Sequence, residues 1–305
     1  MGEDPATAKV DAPSAFVWMA AGAVCFGLMN FFARVSSAHA HWAITACVRA
    51  AVGAVVAAIA AIAQGHPPLV KPTPLLWQRT VLGTTAMGLT FFALSDHRAP
   101  LADTVTLANT TPVFLAILAP FFLQERNGRR LAFALPIAVA GVVLVLHPTF
   151  LFPDAAHPPQ PGSIVPESVA VVAALFSAFA MMTLRKLQKG ENPESIVVHF
   201  SAVAAVVMGV IALFTAPGLP PKESVPPMLA TGLAAGMGQM FMTRAYSLAR
   251  AARVSAIGYL AIVVSAALGS LALHEPLSTH ATLGMCLVIA AGLLIGVLGI
   301  RPKTR

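Results

Sequence analysis

Residues 41–63 read HWAITACVRAAVGAVVAAIAAIA, an apolar run of 23 positions with a single formal charge, Arg49. As a helix rising ~1.5 Å per residue, such a run crosses the ~30 Å hydrocarbon core of a bilayer. A helix is required there because lipid offers backbone amides no partners, and a membrane strand would alternate in polarity. Similar runs recur along the 305 residues. Charged residues are 10% of the chain, hydrophobic residues 57%, and mean hydropathy is +0.80. Soluble domains carry about 25% charged residues, so a pair of soluble domains is excluded. The chain reads as an all-α membrane protein.

Polar and Pro-rich breaks divide it into ten spans, at about 14–36, 41–63, 76–96, 100–123, 129–147, 166–187, 193–215, 226–248, 252–274 and 278–300. The run from 14 to 34 exceeds the ~7–15 residues of a signal core. Residues 1–13 also carry three acids and only Lys9, unlike a basic leader, so the first span is read as retained. With the N-terminus cytoplasmic, 14 of the 19 Lys and Arg residues face inward, Arg79 among them. Arg34, Arg98 and Lys222 then face outward, while Arg49 and Arg244 fall within spans. This asymmetry predicts an N-in, C-in topology. It also accounts for the net charge of +7 without a nucleic-acid partner. Cys25, Cys47 and Cys286 all lie in apolar runs without metal-type spacing and read as small core hydrophobes.

Shifting the chain by 150 residues against itself aligns Gly88 with Gly238, Phe91 with Phe241, and Glu125 with Glu275. Acids are rare here, and both glutamates close an apolar span, so their pairing carries weight. Five spans per half is an odd number, which predicts inverted repeats with a site near the midplane between them. Proposed limits are 14–148 for helices 1–5 and 165–300 for helices 6–10.

The stretch Pro100-Leu101-Ala102-Asp103, Thr111-Pro112-Val113-Phe114, Gln124-Glu125 and Ala140-Gly141-Val142-Val143-Leu144 resembles the first EamA repeat of the drug/metabolite transporter superfamily. The second copy runs from Ala252 through Tyr259 to His274-Glu275-Pro276, then Leu283-Gly284 and Ala291-Gly292. The resemblance covers about residues 14 to 300 and departs at Ile262, which stands where the first copy has Pro112. It implies ten helices, the inner membrane and movement of small metabolites, often outward. It does not fix the substrate.

Polar residues inside spans are the natural site candidates, because burying them in lipid is costly. Arg49 lies about 12 Å down its helix from His41, too deep for easy snorkelling. It could anchor a substrate carboxylate or phosphate through two hydrogen bonds, or pair internally with Asp103. His199, its repeat counterpart, could titrate and couple transport to protons, or rest on a neighbour. Trp18 and Asn30 on span 1, Phe91 on span 3, Asn109 and Thr110 on span 4, Gln239 and Tyr246 on span 8 and Tyr259 on span 9 complete the candidate lining. The same residue types also bond packed helices together. Glu125, Glu275 and Arg244 read as helix-end contacts. Gly232 with Gly236, and Gly292 with Gly296, would allow close helix approach, leaving monomer and homodimer both open.

No phosphate loop, zinc spacing or nucleophile elbow occurs, so no catalytic residue, metal site or cofactor is expected. The sequence predicts a secondary transporter, an exporter of a small organic metabolite such as an amino acid or related compound. The alternatives are a carrier of a small organic anion and, further off, an intramembrane enzyme.

Overall fold

Every regular element among the described residues is helical. The computed structural model describes residues 13–122, 131–146, 164–187, 192–248, 257–275 and 277–298. The first half contributes α1 (Pro13–Ser37), α2 (Trp42–Ala63), α3 (Pro74–Ser95), α4 (Leu101–Ala108), α5 (Thr111–Phe122) and α6 (Leu131–Leu146). The second contributes α7 (Ile164–Leu187), α8 (Pro193–Thr215), α9 (Val225–Leu248), α10 (Leu260–Leu273) and α11 (Thr279–Leu298). Helix starts follow local chemistry. Thr73 caps α3 by accepting from the Leu76 amide at 3.2 Å, and Pro74 takes the first turn, where its missing N–H leaves nothing unpaired.

Four helices, Ser14–Ser37, Trp42–Ala63, Ile164–Leu184 and Glu194–Thr215, are long and apolar enough to cross a membrane. Others are shorter, while α3 and α9 are unbroken helices that carry several Thr and Gly among their apolar residues. The fourth predicted span is not one helix, since the chain turns between α4 and α5 at Asn109–Thr110. In the ninth, a turn at Gly258–Tyr259 precedes α10. Glu125, residues 148–163 and Ser255 lie outside the described residues.

The two halves interlock by exchange. α1 packs chiefly on α9 and α3 on α7, which are equivalent pairings once the halves are swapped. The contacts of α2 with α8 and of α6 with α11 are their own counterparts under that swap. Gly232 and Gly236 face Val52 and Val56 of α2, so this small-residue pair serves packing within the chain.

One end of the bundle is closed by Arg34 at the end of α1. Its side chain is 1% exposed, and its Nε donates to Glu275 Oε1 at 2.9 Å. Its two terminal nitrogens donate to the carbonyls of Leu94 (3.0 Å), Asp96 (2.7 Å) and Ala99. The Leu94 carbonyl, in the last turn of α3, has no later helical amide to receive, so the guanidinium acts as its cap. Glu275 reaches this point because His274 adopts a left-handed φ of 55° and turns the chain after α10, with the Glu275 amide donating to Gly269 O at 3.1 Å. Its second oxygen accepts from the Leu101 amide at 2.5 Å, at the start of α4. Glu275 is thus a helix-end contact, as expected, whereas Arg34 is buried rather than an outer-surface charge.

Arg79 departs from expectation in the same way. It is 8% exposed, and its guanidinium carbon sits 4.5 Å above the Phe200 ring centroid. Its position near the start of α3 suggested the inner surface, but the ring on α8 draws it inside.

Candidate functional site

The break between α4 and α5 has a covalent cause. Pro112 has no amide hydrogen, so the Ala108 carbonyl loses its helical donor. Thr111 Oγ1 takes over, donating to Ala108 O at 3.3 Å and also lying 3.3 Å from Ala174 O on α7. Asn109 Nδ2 donates to Val105 O at 2.8 Å, and Thr110 Oγ1 to Leu107 O at 2.6 Å. Three consecutive polar side chains thus bond back onto the last turn of α4, where Val105 O and Leu107 O also accept the Asn109 (3.0 Å) and Thr110 (3.1 Å) amides. The second copy turns without a proline, at Gly258, with short-range bonds from the Ala261 amide to Gly258 O (3.1 Å) and from the Ile262 amide to Tyr259 O (3.0 Å). Asn109 and Tyr259, 150 positions apart, thus occupy matching places at turns, one between α4 and α5 and the other just before α10.

Tyr259 is 4% exposed and belongs to the main buried cluster with Phe91, Leu101, Val105 and Ile262. Met87, Ala46 and Ala50, which surround Arg49, belong to the same cluster. Phe91, Tyr259 and the surroundings of Arg49 therefore share one buried cluster, whereas Leu107 and Ala108, beside the Asn109–Thr110 turn, belong to another. The other candidates make other contacts. Asn30 Nδ2 donates to Ser265 Oγ at 3.4 Å, joining α1 to α10. Trp18 lies 12 residues, about 18 Å, from Asn30 along α1, and packs 5.5 Å from the Phe241 ring at the protein surface. His199 lies within 3.0 Å of Thr80 Oγ1 and edge-on to Trp77, so it rests on the start of α3. Gln239 is half-buried on α9, and Arg244 is exposed. The side chains of Tyr246 and Thr243 lie outside the described residues.

The ion pair weighed between Arg49 and Asp103 is not formed. Arg49 Nη1 instead donates to Met87 Sδ at 3.2 Å, and its Nε has no partner among the described residues. Ion pairs there are Arg34–Glu275, His66–Glu194 and Arg98–Asp96. No group of three metal-ligating side chains converges among the described residues. Sequence reading missed Arg79 as an inward-facing group. The available signal was an arginine followed by Thr80, Gly83 and Thr84 within an otherwise apolar run.

Residues 13–147 and 166–297 each match the EamA-like transporter family. The pseudopaline exporter of Pseudomonas aeruginosa (strain UCBPP-PA14) is 29% identical over 274 residues, covering 89% of each chain. Solute carrier family 35 member G1 of Mus musculus is 28% identical over 224 residues, which is 70% of this chain and 60% of that protein. The riboflavin transporter of Rhizobium johnstonii is 25% identical over 210 residues, 69% of this chain and 66% of that one. A solved crystal structure at 21% identity covers 94% of this chain and 97% of its own, with a TM-score of 0.66, a likeness of fold. The family and these relatives are transporters rather than enzymes.

Proposed function

The chain belongs to the EamA-like transporter family, and on that premise we propose that it exports a small organic metabolite, such as an amino acid or related compound, across the inner membrane. The observation that carries this reading is the pair of turns at Asn109–Thr110 and Gly258–Tyr259, at positions equivalent under the 150-residue repeat. Asn109 lies nine positions past Pro100, the start of one predicted span, and Tyr259 nine past Arg250, just before the other. At ~1.5 Å per residue both reach ~13 Å depth from opposite faces, near the middle of a ~30 Å core. Turns at the midplane release backbone and side-chain polar groups that a solute can bind. Rocking of one half against the other then exposes the site to each side in turn. The match to an exporter supports the outward direction.

We take the halves, 14–148 and 165–300, as inverted units of five spans each, with both termini cytoplasmic. The exchanged packing of α1 on α9 and α3 on α7 supports the repeat. Placing Arg34 and Arg79 inside lowers each side of the loop-charge tally by one, to 13 against 2, which keeps the bias. The orientation is tested with single cysteines at Ala155 and Asn127 in a background lacking Cys25, Cys47 and Cys286. They should react with impermeant maleimide from opposite sides of the membrane; reaction of both from one side rejects ten spans.

The site is tested by transport in Asn109→Ala and Tyr259→Phe variants expressed at wild-type levels. Each should weaken apparent affinity or rate by about tenfold, the loss of roughly one hydrogen bond in a dry site. Unchanged kinetics in both would remove them from the site.

A further inference from the structure

We propose that Arg49 and Arg79 form a two-guanidinium anion site among α2, α3 and α8, and that the transported solute carries a carboxylate, phosphate or similar anionic group. This deepens the transporter reading and rests on it. Both arginines are more than nine-tenths buried, at 6% and 8% exposure. Neither has a carboxylate partner among the described residues, and the buried acids Asp103 and Glu167 pair with neither. Arg49 Nε, Arg79 Nε and Arg79 Nη1 have no hydrogen-bond partner there. Arg49 Nη1 meets only the weak acceptor Met87 Sδ.

The register of α3 brings the two together. Arg79, Gly83 and Met87 are spaced at four and lie on one face. A side-chain carbon at Gly83 would fall 2.0 Å from Arg79 Nη1, so the guanidinium folds over this glycine toward Met87, the residue that Arg49 touches. Thr84 Oγ1, buried on the same helix, is also without a partner.

A buried cation without a counter-charge is strongly destabilising, and two side by side are worse. Structural arginines in this protein are served quite differently, as Arg34 shows with a carboxylate and three carbonyls. One bound anion would satisfy both forks through paired N–H donors, the geometry in which guanidinium excels. Phe200 holds the Arg79 plane while leaving its edge available.

The test is binding of inorganic phosphate and malonate by the purified full-length chain in detergent, at fixed ionic strength, read as a saturable rise in melting temperature. Arg49→Gln and Arg79→Gln should each weaken the apparent affinity at least about tenfold. Should either fail to fold, Gly83→Ala provides the second arm, because it keeps both charges and displaces the flexible Arg79 head, with Phe200 Cε2 the next contact at 3.0 Å. It too should weaken binding. No saturable shift in the unaltered protein, or equal affinity in Gly83→Ala, overturns the site. So does competition by phosphatidylglycerol micelles where soluble anions have no effect, which would assign the arginines to a lipid headgroup. In proteoliposomes, uptake of an uncharged solute that is undisturbed in Arg49→Gln would overturn the anionic substrate while keeping the transporter. Phosphate binding lost in both variants, without uptake of any solute, would leave the anion site standing and count against transport.

Discussion

Glu275→Ala is expected to destabilise the folded protein by about 3–5 kcal/mol, the usual result of stranding one member of a buried ion pair. Arg34 is 1% exposed, so its charge cannot recover the lost carboxylate in water. The Leu101 amide at the start of α4 loses its acceptor in the same step. Glu275→Gln should fall between, since an amide oxygen can still accept from Arg34 or Leu101 but carries no charge. Arg34→Lys should not rescue Arg34→Ala, because an ammonium cannot span one carboxylate and the carbonyls of Leu94, Asp96 and Ala99. Arg98 and Asp96 provide the internal comparison. They also form an ion pair, but Arg98 is 49% exposed, so Arg98→Ala should hardly move the melting temperature. Equal melting of Glu275→Ala and Arg98→Ala in detergent would show that burial does not set the strength of this contact. The pair also ties the halves together, with Arg34 in the first and Glu275 in the second.

What could be read from sequence was whatever a single helix decides. Apolar runs such as 41–63 gave helices within a few residues of α2 and α8, because lipid-length hydrophobicity is a local property. The 150-residue repeat marked Asn109 and Tyr259 as equivalents, and both fall at turns. The turns themselves were not foreseen. Residues 100–123 read as one span despite their polar residues, and Pro112 alone is tolerated inside many membrane helices; here three polar side chains bond back at the turn. The arginines were misjudged for another reason. Whether Arg34 or Arg79 is buried depends on Glu275, 241 positions away, and on Phe200 on another helix. Helical periodicity contains no information about such partners.

Gly284→Ala sets two known effects against each other, and the contact should win. Alanine is favoured over glycine inside a helix by about 1 kcal/mol. On α11, however, the added carbon would lie 2.6 Å from Val145 Cγ2, 2.7 Å from Gly141 O and 3.0 Å from Val145 N. Two of those atoms are α6 backbone, which cannot rotate away, so the helices must separate. Gly141→Ala meets the same obstacle in reverse, 2.9 Å from Gly284 O. Overpacking of this kind costs typically about 1–3 kcal/mol, enough to outweigh the propensity gain. Gly53→Ala on α2 isolates that gain, because its nearest neighbour would be Ser201 Oγ at a comfortable 3.8 Å. Melting temperature should therefore rise for Gly53→Ala and fall for Gly284→Ala and Gly141→Ala, though all three make the same chemical change. A rise at Gly284 would mean that α6 and α11 do not meet through their backbones. A fall at Gly53 would mean that α2 is held by something other than the packing seen. With the expected signs, the last helices of the two halves form a fixed seam, and transport must be achieved by movement elsewhere, at the turns beside Asn109 and Tyr259.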